Sequence, residues 1–541
     1  MSDTVDLIGR SLSGSAREAF DRRVEAGADY LREELAAGHL DNADPTIGME
    51  LECYVVDSAG RLARLPEGCL DDTPVNRELG RHNVEVNTPP TVLSDAGIAA
   101  QAETIREHLE TGQRVATEHD RRIILDAMWT VPPEEGTRAY LSAVDEVDGY
   151  VLASNMHEAA RYHAMDNDIL RHAGGAIELD LPGVRESFPS ILLESLATSI
   201  QPHLQVPDVS AFPAYFNAAI RTLAPVLALS TNSPFLPADL YDDVAGDEAL
   251  DLIDGTYHEL RIPVFEQSIN AGQERGKVRF PRDVDDPVDV IDRVVEDGTL
   301  VPFLHEWVAE EAEVEGFAGR GADAEVADGG SGGERTVAGA EPEGEYTDAF
   351  WEFDHKHGTY WRWVRGVVGG DVVDERNDER SLRIEYRPLP TQPSVADVVG
   401  LQCLVAGLLR GIVETDHPLP TLDWDDARAS FYAVVEDGLD ADLQWVAADG
   451  ERTDDPGRIY GEVFDLARTG LADAGVSEAT VERYLRPIEA RWERGLTPSG
   501  WKLDHVRRAV EEGGSLAEGI ERMQREYVER SAGGRPFVEW G

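Results

Sequence analysis

The sequence predicts an α+β fold, a mainly antiparallel sheet with helices packed on one face. Three observations lead there. Segments with strand periodicity alternate with segments of helical periodicity, and no internal repeat is detectable. Several strand segments are apolar on one face and polar on the other. With 541 residues, 42% of them hydrophobic, the chain also has ample material for a real core.

The elements follow in order. An acidic amphipathic helix is expected over residues 18–37, a strong strand over 47–56 and a second strand near 83–88. Ser94 reads as the cap of a long helix reaching about residue 118, with Ile105 and Leu109 on one face. An apolar strand over 122–129 ends at Val131-Pro132-Pro133. Next come a helix over 155–172, a strand near 176–181, and a helix or turn leading into an alternating stretch over 198–206. Residues 211–230 are helical in pattern and close on the turn Thr231-Asn232-Ser233-Pro234.

Residues 315–346 differ in kind: rich in Gly, Ala and Glu, with few large apolar side chains, they are expected to form a disordered insertion. A strand over 381–388, a helix over 394–415 and a largely helical last hundred residues complete the pattern. The expected organisation is an N-terminal helical segment, 1–44, then one central domain over 45–314 and 347–445, interrupted by the insertion. A helical C-terminal part, 446–541, ends the chain.

Charge excludes several partners. Asp and Glu number 105 against 49 Lys and Arg, a net charge of -56 spread along the chain, which disfavours nucleic acid and anionic membrane. The only lysines are Lys277, Lys356 and Lys502. Acid excess with scarce lysine points to a halophilic cytoplasm, where such a surface holds water and cations at high salt. Cys53, Cys69 and Cys403 are odd in number and unpatterned, fitting neither a disulfide framework nor a metal knuckle. Met1 to Arg10 has no basic region followed by an apolar run, and no stretch approaches eighteen uninterrupted apolar residues. A soluble, cytoplasmic protein is the expectation. Most acids here are then solvated surface, and only carboxylates set in apolar strands carry information.

Three strands carry such carboxylates. In the first, Ile47, Met49, Leu51 and Cys53 alternate with Gly48, Glu50 and Glu52, so the two acids lie side by side on one face. In the second, Val84 and Val86 oppose Asn83, Glu85 and Asn87; in the third, Glu385 sits between Arg383 and Arg387. Adjacent carboxylates repel unless cations lie between them. If these strands neighbour one another, Glu50, Glu52, Glu85 and Glu385 line one surface suited to a hard divalent cation such as Mg2+ or Mn2+. Magnesium shares oxygen ligands with phosphates, so this surface could serve as an ATP site without a glycine loop, and no GxxxxGK[ST], GxGxxG or HExxH motif is present. Arg383 and Arg387 would neutralise a transferring phosphoryl group. The stretch around Gln201, His203 and Gln205 places these three on one polar face able to meet substrate or a nucleotide phosphate.

The order and spacing of these motifs resemble the glutamate-cysteine ligase family and its carboxylate-amine ligase relatives. The matching elements are Gly48-x-Glu50-x-Glu52, Glu85-Val86-Asn87-Thr88-Pro89, Arg161-Tyr162, and Gln201-x-His203 before Val206-Pro207-Asp208. They continue with Leu227-Ala228-Leu229-Ser230-Thr231-Asn232-Ser233-Pro234-Phe235 and Ile384-Glu385-Tyr386-Arg387 followed by Gln392-Pro393. The resemblance implies a glutamine-synthetase-like catalytic fold over residues 45–445. It implies Glu50, Glu52, Glu85 and Glu385 as magnesium ligands around ATP, Arg387 as the phosphate-contacting arginine, and Gln201, His203 and Arg383 near the nucleotide. Arg161, with Asn87, falls where an amino-acid substrate is held. One departure stands out: where the family often carries Asn-x-Trp-x-Ala before Gly-Leu-Asp-Ala, this chain has Ser430-Phe431-Tyr432-Ala433 before Gly438-Leu439-Asp440-Ala441.

The implied reaction activates a carboxylate with ATP for attack by an amine, in the family the γ-carboxylate of glutamate and the amine of cysteine. The departure at Ser430 leaves open the same chemistry on another amino acid or amine. A paralogue that binds nucleotide or metal without turnover is the alternative of a different class. Homo-oligomerisation is left open by the sequence.

Overall fold

A computed structural model of the chain describes residues 2–66, 68–241, 243–273, 276–307 and 346–540. In chain order the strands begin with β1 (Thr46–Val56), β2 (Val75–Arg77), β3 (Asn83–Val92) and β4 (Arg122–Ile124). Two separate hairpins follow, β5–β6 (Val144–Val147 and Tyr150–Ala153) and β7–β8 (Ile177–Leu181 and Val184–Phe188). Then come β9 (Ile200–Gln205), β10 (Val364–Val368) and β11 (Leu382–Tyr386), and last a short antiparallel pair, β12 (Trp445–Val446) and β13 (Arg452–Thr453). Seven of them form one sheet in the order β10-β11-β9-β1-β3-β2, with β4 on the far end of β1, and every pairing is antiparallel. The α+β class with an antiparallel sheet is thus the observed one.

Alternation fixes which face is buried. Ile47, Met49, Leu51 and Cys53 of β1, Val84 and Val86 of β3, Ile200 and Leu204 of β9 and Ile384 and Tyr386 of β11 all point into the core. They pack against the helices Asp95–Glu118, Phe212–Ala228 and Val395–Glu414. Two glutamines cross this interface to satisfy sheet carbonyls. Gln402 Nε2 donates to the Gly48 carbonyl at 2.9 Å and Gln101 Nε2 to that of Pro89 at 2.8 Å. Ser94 caps its helix as expected, accepting from the Gly97 amide, and Ser394 caps the later one by accepting from the Asp397 amide.

Helix Val395–Glu414 has the length and apolarity to cross a bilayer, but here it is the core helix between the sheet and the C-terminal helices. It meets helix Pro456–Asp473 at very close range through glycines. A Cβ on Gly411 would lie 2.0 Å from the Leu466 carbonyl oxygen, and one on Gly470 2.0 Å from that of Gly407. Only glycine fits either position. The four helices Pro456–Asp473, Glu478–Arg494, Pro498–Glu511 and Leu516–Ser531 bear out the largely helical reading of this end. Two buried ion pairs bind them to the rest: Lys502 Nζ with Asp126 Oδ1 at 2.6 Å and Arg491 Nη2 with Asp397 Oδ1 at 2.7 Å.

Some elements differ from expectation, each for a local reason. The strand expected over 122–129 stops at Ile124, because Asp126 turns inward to receive Lys502, Asn232 and Gln524. The helix expected from 155 begins at Ala160: the Asn155 carbonyl accepts the Arg81 amide and Met156 bridges Gly80, so this segment is tied to the β2–β3 connection. The strand over 381–388 is trimmed to Leu382–Tyr386; β7 lies where a strand was expected near 176–181, whereas β2, the β5–β6 hairpin and β8 were not foreseen. The insertion expected over 315–346 lies outside the described residues except for Tyr346, which is buried and opens a short 3-10 turn, Tyr346–Phe350.

Candidate active site

The polar face of the sheet gathers the carboxylates into rows, because residues paired across antiparallel strands project to the same side. One row runs Glu85 (β3) to Glu52 (β1). The next runs Asn87, Glu50 and Gln201 across β3, β1 and β9. A third runs Gly48, His203, Glu385 and Arg365 across β1, β9, β11 and β10. Gln205 and Arg383 pair beyond it. Arg387, just past β11, donates its amide to the Trp363 carbonyl and its Nη1 to both Glu385 Oε1 and Gln201 Oε1.

At the centre, ligand atoms of Glu50, His203 and Glu385 all lie within 4.8 Å of one another. His203 Nε2 is 3.7 Å from Glu50 Oε1 and 4.0 Å from Glu385 Oε1, too far for a hydrogen bond to either. That nitrogen is buried and has no hydrogen-bond partner among the described residues. Burial, aided by Arg383, pushes the imidazole down to about 3 against the pull of Glu385, so the ring is neutral and can turn a lone pair toward the two carboxylates. Three electron-rich groups that face one another without a hydrogen bond from the histidine to either carboxylate fit a divalent cation.

Glu385 is the most constrained of the three. Its side chain is 1% exposed and lies between two guanidinium groups, Arg365 and Arg387. Burial alone would raise its pKa, but Arg365 and then Arg387 more than offset it and hold the carboxyl well below the usual range. Glu52 is differently placed: it accepts the Ser199 amide at 2.7 Å and Gln201 Nε2 at 3.2 Å, and burial and Glu78 push it up to about 7. Glu85 is buried opposite Glu52 and accepts Asn87 Nδ2 at 3.2 Å.

Two other expected residues make hydrogen bonds elsewhere. Arg383 donates to the Gly369 carbonyl. Arg161, near the start of helix Ala160–Ala173, donates to the Tyr162 hydroxyl at 3.1 Å and stacks 4.7 Å over its ring, while its Nε is buried with no hydrogen bond among the described residues.

The turn Thr231-Asn232-Ser233-Pro234 acts through a relay. The Asn232 amide and the Ser233 hydroxyl donate to the Glu259 carboxylate at 2.9 and 2.7 Å, and Glu259 in turn accepts Arg261 Nε at 3.3 Å. Arg261 is buried and its charge is felt by Glu52.

Sequence reasoning missed four groups. Glu194, in the 3-10 turn Ile191–Leu196, is pushed up to about 8 by burial and by Glu52 and Glu78, so three acids share this region. Arg365 and Arg261 complete the set. Glu194 and Arg365 were findable by the criterion already applied to strands, a charged residue inside an apolar run: Ile191-Leu192-Leu193-Glu194 and Val364-Arg365-Gly366-Val367. Glu78 and Arg261, in loop and helix-start positions, carry no such signal.

Fold and site together define an α+β protein whose antiparallel sheet presents neutral histidine, paired carboxylates and arginines on one face. The sequence model of glutamate-cysteine ligase family 2 (GCS2) matches residues 46–532, and the chain belongs to that family. It is an ATP-dependent carboxylate-amine ligase. No curated protein matches the chain. Among solved structures it is similar to the glutamate–cysteine ligase of Francisella tularensis in complex with AMP, at 13% identity and a TM-score of 0.48, over 93% of this chain and 91% of that one. It is also similar to a bifunctional glutathione synthetase from Pasteurella multocida, at 13% identity and a TM-score of 0.45, over 90% of this chain and 52% of that one.

Proposed function

We propose that the chain joins the γ-carboxylate of glutamate to the amine of cysteine through an acyl phosphate, with Mg2+ held at Glu50, His203 and Glu385. The observation that carries this reading is the unpartnered, buried His203 Nε2 facing two carboxylates beside Arg387. Glu52 and Glu85 extend the acidic surface as further magnesium ligands. Gln201 and Arg383 flank the nucleotide, and Asn87 and Arg161 serve the amino-acid substrate.

In the reaction, a carboxylate oxygen attacks the γ-phosphorus of ATP in line, the bond to the β–γ bridging oxygen breaks, and ADP departs. The amine nitrogen then adds to the acyl carbon, phosphate leaves, and the nitrogen releases a proton. When bound, the divalent cation supplies charge neutralisation at the phosphate oxygens. Arg387 stabilises charge on the transferring group through the guanidinium nitrogens that Glu385 and Gln201 do not occupy. The sheet fixes these groups in register, so that little reorganisation accompanies the transfer.

The same proposal places the reaction in a reducing, high-salt cytoplasm, supported by the acid excess and by three cysteines that form no disulfide. The segment at Ser430 favours a test across several amines. Its side chains are committed to packing, with the Tyr432 hydroxyl donating to Glu266 at 2.7 Å and the Phe431 ring set between Phe280 and Trp363. ADP release in molar potassium chloride with Mg2+, ATP and glutamate is expected to rise when cysteine is added, and more than with any other amino acid in a panel. A larger response to another amine would keep the ligase and replace the substrate. No ADP release with any pair would refute the reading.

A further inference from the structure

Arg365 and Arg387 both touch Glu385, yet their nitrogens are used differently. Arg365 stands directly across from Glu385 in the β10–β11 register. Its Nε donates to Oε2 and its Nη2 to Oε1 at 3.1 Å, a side-on fork over both carboxylate oxygens. Its Nη1 donates to the His357 carbonyl at 2.9 Å, so all three guanidinium nitrogens are tied to the protein. His357 is itself fixed, its ring bonded to the Gly366 carbonyl at 2.9 Å. Arg387, by contrast, engages the protein through Nη1 alone, and its Nε and Nη2 make no hydrogen bond among the described residues.

The count at the carboxylate matches this division. Oε1 of Glu385 accepts from both arginines and Oε2 from Arg365. A carboxylate offers about four lone-pair directions, so one is left, on Oε2 rather than on the Oε1 that both arginines occupy, and the plane that contains it is set by Arg365. Groups that orient a metal ligand in this way tune its affinity without touching the ion.

We propose that Arg365 is a positioning residue that locks the carboxylate plane of Glu385 so that it meets a divalent cation through a single oxygen, leaving Arg387 to the phosphate. The inference rests on the cation reading of Glu50, His203 and Glu385. It separates two arginines that charge and contact with Glu385 alone would treat as equivalent. Lysine at 365 would keep the charge but not the planar fork, and glutamine would keep a donor but remove the charge.

Mn2+ alone, titrated by electron paramagnetic resonance in molar potassium chloride, tests it on the full-length wild type, Arg365→Lys and Arg365→Gln, each checked for fold by near-UV circular dichroism. The expected result is Mn2+ binding weaker by about 10- to 100-fold in both variants, with turnover of Arg365→Lys recovering at saturating Mg2+ and an unchanged KM for glutamate. Tighter binding in Arg365→Gln, the outcome of a purely electrostatic role, overturns the proposal. So does wild-type Mn2+ affinity in Arg365→Lys. If the wild type itself binds no Mn2+, the cation reading falls and this inference falls with it; if only the variants match the wild type, the cation reading stands and Arg365 loses its role.

Discussion

Replacing Glu385 by glutamine is expected to lower turnover by on the order of 10^3-fold. The substitution keeps the side chain's size and removes the charge that Arg365, Arg387 and the cation would share. It also strands two buried guanidinium groups without a counter-charge, so part of any loss could come from the fold. His203→Phe separates the two effects. Nε2 of His203 makes no hydrogen bond among the described residues, so removing it breaks none there. A folded His203→Phe protein is therefore expected to lose turnover comparably, by ADP release in high salt, with its unfolding midpoint close to the wild type. Near-normal turnover in either folded variant would remove that residue from the reaction.

The largest expected effect on stability is at Lys502. Its Nζ is buried, 2.6 Å from Asp126 Oδ1 and 2.8 Å from the Asn232 carbonyl, and lies 4.5 Å over the Tyr527 ring. Asp126 is fully buried and also receives Gln524 Nε2 at 2.7 Å. Lys502→Met would leave that carboxylate with neutral donors only, at a cost of about 3–5 kcal/mol. Pairing Lys502→Met with Asp126→Asn removes the stranded charge, and the double variant is expected to be more stable than Lys502→Met alone. Chemical denaturation in molar salt reads both. The pair joins helix Pro498–Glu511 to the segment that leaves the sheet after β4, so its loss also loosens the Asn232 turn that holds Glu259 and Arg261.

Much of the sheet was legible in the sequence because its signal is local. Alternation in 47–53 and 83–87 sets the inward and outward faces of β1 and β3 without knowledge of their partners. Glu50, Glu85 and Glu385 could thus be singled out before their strands were known to lie in one sheet. What was not legible depends on pairing. That His203, rather than Glu52 or Glu85, stands between Glu50 and Glu385 follows from the β1–β9 and β9–β11 registers, which no single strand encodes. Arg365 stood in an apolar run and could have been marked there, but its partner could not, since its fork on Glu385 exists only once β10 lies beside β11.

The misplaced boundaries have a similar origin. Residues 122–129 have the composition of a strand, but Asp126 is drawn out of the sheet by Lys502, a partner 376 positions away. Asn155 to Ala159 read as helix until the carbonyl of Asn155 is claimed by Arg81. In both cases a long-range polar contact overrides a local preference, and the site inherits its geometry from such contacts.

The central claim is that side chains from β1, β9 and β11 hold a divalent cation that bridges a nucleotide. Calorimetric titration of the wild-type protein with ATP in molar potassium chloride, with and without Mg2+, tests it most directly. The account predicts saturable uptake that requires Mg2+ and is abolished in His203→Phe. Uptake of ATP that is indifferent to Mg2+, or none under either condition in a folded protein, would contradict it.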